Sequence, residues 1–228
     1  MSLTYIVLGS KSWNRRVFEE RIRRLPGNWH FICDPKELKV KRVRELAPAA
    51  LFFLHWSWKV PNELVRDFEC ICFHMTDVPY GRGGSPLQNL IERGHTETKL
   101  TALRMTETFD AGPVYLKAPL SLAGTADEIL MRASALSAVM IEAILRERPE
   151  PRPQVGEPVV FKRRRPEDSQ IPSTESVETL HDFIRMLDGE GYPAAFLVHN
   201  GYRYEFTRAA LRDGRIVADV SIAREAAS

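Results

Sequence analysis

Tyr5-Ile6-Val7-Leu8-Gly9-Ser10 places four apolar residues ahead of a turn, and residues 13–25 behind it carry their charges at helical spacing. An unbroken apolar run of this length suits a strand buried on both faces, and a helix returning from its end opens an α/β sheet. The alternation continues. Trp29–Cys33 predicts a second strand, Val40–Leu46 a short helix and Ala49–Leu54 a third strand. Pro61 opens a helix that runs to Phe68, and Cys70–Phe73 predicts a fourth strand. Strands alternating with helices imply an open, mainly parallel sheet with helices on both faces. The first turn holds Gly9 alone and no G-x-G-x-x-G, so a dinucleotide site is not supported.

Further on, Leu87–Arg93 reads as a helix, and Leu100–Met105 and Val114–Leu122 read as strands on either side of a turn at Asp110. Thr125 is placed to cap a helix that carries Asp127 and Glu128 in its first turn and continues to Leu145. Pro149, Pro151, Pro153 and Pro158 then crowd the chain, which sets a linker at residues 151–160 between a domain of residues 1–150 and a C-terminal part of residues 161–228. That part predicts an amphipathic helix, Ser176–Leu187, and strands at Ala194–Val198, Tyr202–Thr207 and Ile216–Ile222, a small α+β subdomain.

Of 228 residues 44% are hydrophobic, and 32 basic residues nearly balance 30 acidic ones for a net charge of +2. Such a balance argues against a global field for nucleic acid or membrane. The basic group Lys39, Lys41, Arg42 and Arg44 reads as a solvated face. Cys33, Cys70 and Cys72 are too few and too oddly spaced for a secreted disulfide framework. No apolar run approaches a spanning helix and the N-terminus lacks a leader signature, so a cytoplasmic protein without membrane contact is expected.

The chemistry concentrates at His74, which leaves a strand and enters a loop containing Pro79, Gly81, Arg82, Gly83 and Gly84. Loops of this kind bring side chains to a ligand rather than a core. Asp110, beside Ala111-Gly112, supplies a carboxylate that could orient the imidazole for general-base work. Arg82 offers a forked donor to an anionic or carbonyl-bearing ligand. Cys70, Cys72 and His74 share one face of a strand, yet the spacing spreads them over about 13 Å. One tetrahedral zinc needs ligands at about 2.0–2.3 Å, so no metal is expected. His55-Trp56-Ser57-Trp58 sits at a strand-to-helix junction, where the tryptophans suit either a core anchor or the wall of a flat aromatic pocket.

His74-x-x-x-x-Pro79-x-x-Arg82-Gly83-x-x-Pro86-Leu87-Gln88 resembles the signature of the 10-formyltetrahydrofolate-dependent formyltransferases, the methionyl-tRNA and sugar-nucleotide enzymes. Phe109-Asp110-Ala111-Gly112 is similar to that family's Asp-x-Gly turn. Residues 161–171, Phe183–Leu187 and Gly191–Phe196 resemble its C-terminal subdomain. The resemblance implies a Rossmann-like sheet in which residues 1–150 form the catalytic domain, and an N-formyltransferase that takes its formyl group from 10-formyltetrahydrofolate. It implies catalytic roles for His74 and Asp110, and a folate site along His55, Trp56, Ser57 and Trp58. The family's oxyanion-donating asparagine stands here as Cys72, a far weaker donor: either Asn89 or backbone N–H groups substitute, or catalysis is weaker, or Cys72 serves a different end. Tyr80, Arg82, Arg163 and Arg164 are the candidates for holding the amine substrate. The short C-terminal part and balanced charge favour a nucleotide-linked amino sugar, with Arg163 and Arg164 on its diphosphate, and make nucleic acid an unexpected partner. Methionyl-tRNA or another small amine is the alternative, and a formyl-folate or nucleotide-sugar binding module with weak activity is a second. The C-terminal subdomain could also form a homodimer interface.

Overall fold

The parallel core of the sheet is built from segments whose side chains are apolar on both faces, because helices cover both sides. The computed structural model describes residues 2–225. Along the chain these are β1 (Thr4–Leu8), α1 (Ser12–Glu20), β2 (Asn28–Ile32), α2 (Val40–Leu46), β3 (Ala50–Leu54), α3 (Asn62–Asp67), β4 (Cys70–His74), β5 (Tyr80–Gly83), α4 (Pro86–Glu92), β6 (Glu97–Arg104), β7 (Val114–Ser121), α5 (Ala126–Glu147), β8 (Val159–Phe161), α6 (Val177–Arg185), β9 (Ala195–His199), β10 (Tyr202–Arg212) and β11 (Arg215–Arg224).

The main sheet has the order β2-β1-β3-β4-β6-β7, parallel from β2 to β4 and antiparallel beyond. Alternation along β1 sends Tyr5 and Val7 to one face and Ile6 and Leu8 to the other. On the first face Trp13, Val17 and Phe18 of α1 and the stripe Ile129, Leu130, Ala133, Ile141 and Ile144 of α5 close the core. Val43 of α2 and Leu64 of α3 close the second. Thr125 and Glu128 cap α5 reciprocally, an arrangement that stabilises a helix by about 1 kcal/mol. Among the described residues no helix is long and apolar enough to cross a membrane.

The C-terminal part is an antiparallel sheet, β11-β10-β9, with α6 packed on β10. Phe183, Ile184, Met186, Leu187 and Ala195 join the core on the α1/α5 side of the main sheet, so the two parts share apolar packing. A small parallel pair, β5 with β8, was not expected from the sequence. Its strands are short, β5 holds two glycines, and its ladder partner β8 is remote in sequence. Periodicity carries no trace of such a pairing.

The connection from β1 leads to β2 on one side, while β3 and β4 continue on the other. The carboxyl ends of β1 and β3 therefore flank the topological switch point where open α/β sheets form their binding crevice. His74 ends the next strand along.

Candidate active site

His74 is the last residue of β4 and only 8% exposed. Its Nε2 lies 2.7 Å from the carbonyl oxygen of Gly81, a group that can only accept, so Nε2 carries the hydrogen of that bond. Thr76 Oγ1 donates to the same carbonyl at 3.2 Å, and Thr101 Oγ1 donates to the carbonyl of Thr76 at 2.7 Å. The ring is thereby oriented with Nδ1 facing Asp110, 3.5 Å from its Oδ1.

Asp110 adopts a left-handed backbone, φ 53°, which Asp tolerates better than most residues. Its Oδ2 accepts the backbone N–H of Gly83 at 2.9 Å, tying the β6–β7 turn to the glycine loop. Gly112 is required beside it, since a Cβ there would lie 1.8 Å from the carbonyl oxygen of Arg104. Gly83, at φ 100°, lets β8 approach; a Cβ would sit 2.6 Å from the Phe161 carbonyl oxygen. Arg82 does not point a free fork into solvent. Its Nε and Nη2 donate to Gln154 Oε1 at 3.0 and 2.7 Å.

Cys72 shares the α2/α3 face of β4 with Cys70 and is half-buried. Burial and the charge of Asp110 push its thiol up, so it stays protonated and is a weak hydrogen-bond donor. Asn89 is not free to substitute as a donor. Its amide donates to the carbonyls of Ser85 at 2.9 Å, Lys162 at 3.1 Å and Gly84 at 3.3 Å, while its oxygen accepts from Arg93 at 2.9 Å.

The junction after β3 divides. His55, with φ 48°, turns toward the C-terminal part, where its Nε2 lies 3.1 Å from the hydroxyl of Tyr192. Burial, with the charges of Lys11 and Arg163, holds its pKa down at about 4, so the ring is neutral. Trp56 packs into the cluster that contains Cys72 and meets Phe53 and Trp58 edge-on, ring centres 6.4 and 5.0 Å apart. Its buried indole N–H has no partner among the described residues. Ser57 and Trp58 are exposed.

The remaining candidates lie apart. The Tyr80 hydroxyl sits 3.1 Å from His95 Nε2, and the ring stands edge-on to Phe161. Arg164 pairs with Glu92 at 3.0 Å, donates to the Asp168 carbonyl and covers the ring of Phe183. Arg163 is exposed, with its Cβ against Gly84. The structure thus brings His74, Asp110, Cys72 and Arg82 together and engages Tyr80 and Arg164 elsewhere. Sequence reasoning missed Gln154, Thr76 and Thr101, single polar residues that carry no local motif; the partners of Gln154 and Thr101 lie 25 or more residues away. A cleft of about 570 Å³ between the start of α5, α6 and β10 includes none of these residues.

Charge is uneven along the sequence. Residues 11–44, comprising α1, the β2 edge and α2, hold eleven of the 32 Lys and Arg but only four acidic residues. All eleven except the half-buried Lys11 are exposed.

A family model described as "Methionyl-tRNA formyltransferase, C-terminal domain" matches residues 166–223. The solved structure of the methionyl-tRNA formyltransferase from Clostridium thermocellum is similar at 44% identity and TM-score 0.93, covering 98% of this chain and 100% of that one. The curated methionyl-tRNA formyltransferase of Ehrlichia ruminantium (strain Welgevonden) is 27% identical over 188 residues, 78% of this chain and 61% of its own length. The chain therefore spans about three-fifths of that relative. A 4-N formyltransferase from Francisella tularensis matches with TM-score 0.68 over 95% of this chain and 96% of that one, but at 15% identity this likeness concerns the fold alone.

These similarities overturn the expectation of a nucleotide-linked amino sugar, since the extended matches carry the name of the methionyl-tRNA enzyme. Arg164, expected on a diphosphate, is instead committed to Glu92 and Phe183. The expectation that nucleic acid is an unsuited partner falls with it. Net charge sums over the chain and conceals a basic segment that local counting reveals.

Proposed function

The chain belongs to the formyltransferase family, and on that premise we propose that it transfers a formyl group from 10-formyltetrahydrofolate to the α-amine of methionyl-tRNA. The observation that carries the chemistry is the His74–Asp110 contact, with the imidazole fixed from behind by the Gly81 carbonyl. Bound 10-formyltetrahydrofolate supplies an electrophilic formyl carbon on a nitrogen leaving group. His74 presents Nδ1 as the ring atom able to take the proton that the attacking amine must shed. Asp110 stabilises the positive charge this places on the ring. The same proton serves the departing nitrogen, so the transfer is proton-neutral overall.

The exposed Trp58, standing edge-on to Trp56 beyond the end of β3, offers an aromatic surface to a planar heterocycle. Cys72 is a minor donor beside the reacting carbon and takes no covalent part, because its thiol is held protonated. The basic segment from α1 to α2, whose cations flank the β2 edge from both faces of the sheet, includes the exposed Lys36, Lys39 and Lys41, which suit the phosphate backbone of an RNA. The 44% identity to a methionyl-tRNA formyltransferase over 98% of the chain supports this choice of amine.

The test is transfer itself. The protein is incubated with 10-formyltetrahydrofolate and charged methionyl-tRNA, and formyl-methionine is measured by mass after ester hydrolysis. Formyl-methionine forming above the enzyme-free rate, with a rate that falls as salt rises, is the expected result. No transfer above that background overturns the proposal.

A further inference from the structure

Gln154 lies in the proline-rich stretch between α5 and β8, where composition alone suggests a passive connection. That stretch is pinned across the site. The backbone of Arg152 exchanges two hydrogen bonds with Val114, at 2.7 and 2.9 Å, which fixes the strap on the residue that follows the Asp110 turn. Two residues on, Gln154 Nε2 donates to the carbonyls of both Asp110 and Gly112 at 2.8 Å. Its Oε1 accepts both Arg82 bonds, at 3.0 and 2.7 Å. Both donor hydrogens and both acceptor lone pairs are thus in use, an uncommon saturation for one half-buried amide.

We infer that Gln154 is a positioning residue for formyl transfer: one side-chain amide locks the left-handed Asp110 turn to the Arg82 loop and so sets the Asp110–His74 distance. The inference rests on the formyl-transfer reading. The Asp110 turn has an unusual backbone and needs outside support, because φ 53° costs a non-glycine residue energy. Gln154 holds its two carbonyls, and Gly83 N–H holds its carboxylate. Arg82 belongs to the same strand as Gly83, so the amide ties together the two segments that meet at the carboxylate. Only a side chain with the reach of glutamine and both polarities can do this. Glutamate keeps the acceptor for Arg82 but turns a second oxygen toward the two carbonyls.

Displacing a catalytic group by about 1 Å costs on the order of 100-fold in rate. Gln154→Ala is therefore expected to lower kcat about 10- to 100-fold, with KM for folate and methionyl-tRNA changed less than about threefold. Gln154→Glu, which retains an Arg82 contact, is expected to lose kcat as well; a strap that merely supports the fold would tolerate it. Gln154→Met fills the same space and replaces the alanine variant should that one fail to fold. Asp110→Asn with Gln154→Ala should be no slower than Asp110→Asn alone, because the clamp acts through Asp110. Amide exchange of residues 106–112 should accelerate in Gln154→Ala while α5 is unchanged.

Wild-type kcat in Gln154→Ala and Gln154→Glu, or a full additive loss in the double variant, overturns the inference. So does unchanged exchange in the turn. If Asp110→Asn keeps the wild-type rate, the catalytic reading of the turn fails, and the exchange measurement still decides whether the clamp exists.

Discussion

Oδ1 of Asp110 lies 3.5 Å from Nδ1 of His74, while Oδ2 of the same carboxylate holds the Gly83 amide at 2.9 Å. One oxygen thus faces the ring nitrogen assigned to take the proton, where its charge favours the imidazolium, and the other anchors the group. His74→Ala and Asp110→Asn should each lower kcat by about 10²–10⁴ with the thermal midpoint shifted only slightly. Steady-state kinetics and calorimetry on each variant provide the check. A folded variant at the wild-type rate removes that residue from the mechanism.

Gly112 has the sharpest steric requirement of the turn, because any Cβ meets the backbone oxygen of Arg104. Gly112→Ala should therefore displace the turn and destabilise the protein by about 2 kcal/mol or more. Urea unfolding measures this directly, and a midpoint equal to wild type would show that the turn yields freely.

Cys72 is held protonated by burial and by the nearby carboxylate, and burial pushes the Cys70 thiol up to about 12. Thiolate is the reactive form, so iodoacetamide at pH 8 should label Cys33 first and the other two only after unfolding. Peptide mass mapping distinguishes the order. Rapid labelling of Cys72 in the folded protein would contradict the protonated assignment.

His55 stays neutral down to about pH 4, whereas an unfolded chain protonates the same ring near 6.5. As pH falls below about 6.5 the unfolded state gains a proton that the native state refuses. Stability from this residue is complete above that pH and declines toward 4, by on the order of 3 kcal/mol at most. Unfolding midpoints of wild type and His55→Gln at pH 7.5 and 4.5 should converge at the lower pH, relative to their difference at the higher. Parallel pH dependence in the two proteins would assign the acid loss to other groups.

The basic segment makes a quantitative claim about salt. Lys39→Glu combined with Lys41→Glu should raise KM for methionyl-tRNA about tenfold or more at low salt and flatten its dependence on salt concentration. KM for folate and kcat should not move. An unchanged KM for the RNA would place its docking surface elsewhere.

Most of the fold was legible along the chain. Tyr5–Leu8, Ala49–Leu54 and Cys70–Phe73 announced buried strands because a parallel sheet demands apolar residues on both faces, and Thr125 announced α5 through its cap. β5 and β8 were not legible, since each is a strand only by virtue of the other. The resemblance of the His74 loop and the Asp110 turn to a family signature put both residues in one expected site, and folding places their side chains 3.5 Å apart. The neutral sum of charge, by contrast, misled on the partner, because it carries no position.

What the sequence determined by itself is the kind of structure and the kind of chemistry. Hydrophobic pattern, caps and turn residues act locally, and a glycine loop after a strand-end histidine is a local signal. The tertiary structure alone decided which polar atoms are free. Asn89 is engaged by the Lys162 carbonyl, Arg82 by Gln154 and Arg164 by Glu92, whereas the buried Trp56 indole N–H has no partner among the described residues. A hydrogen bond needs its partner within about 3 Å, and the partners of these groups lie far along the chain, where only folding brings them.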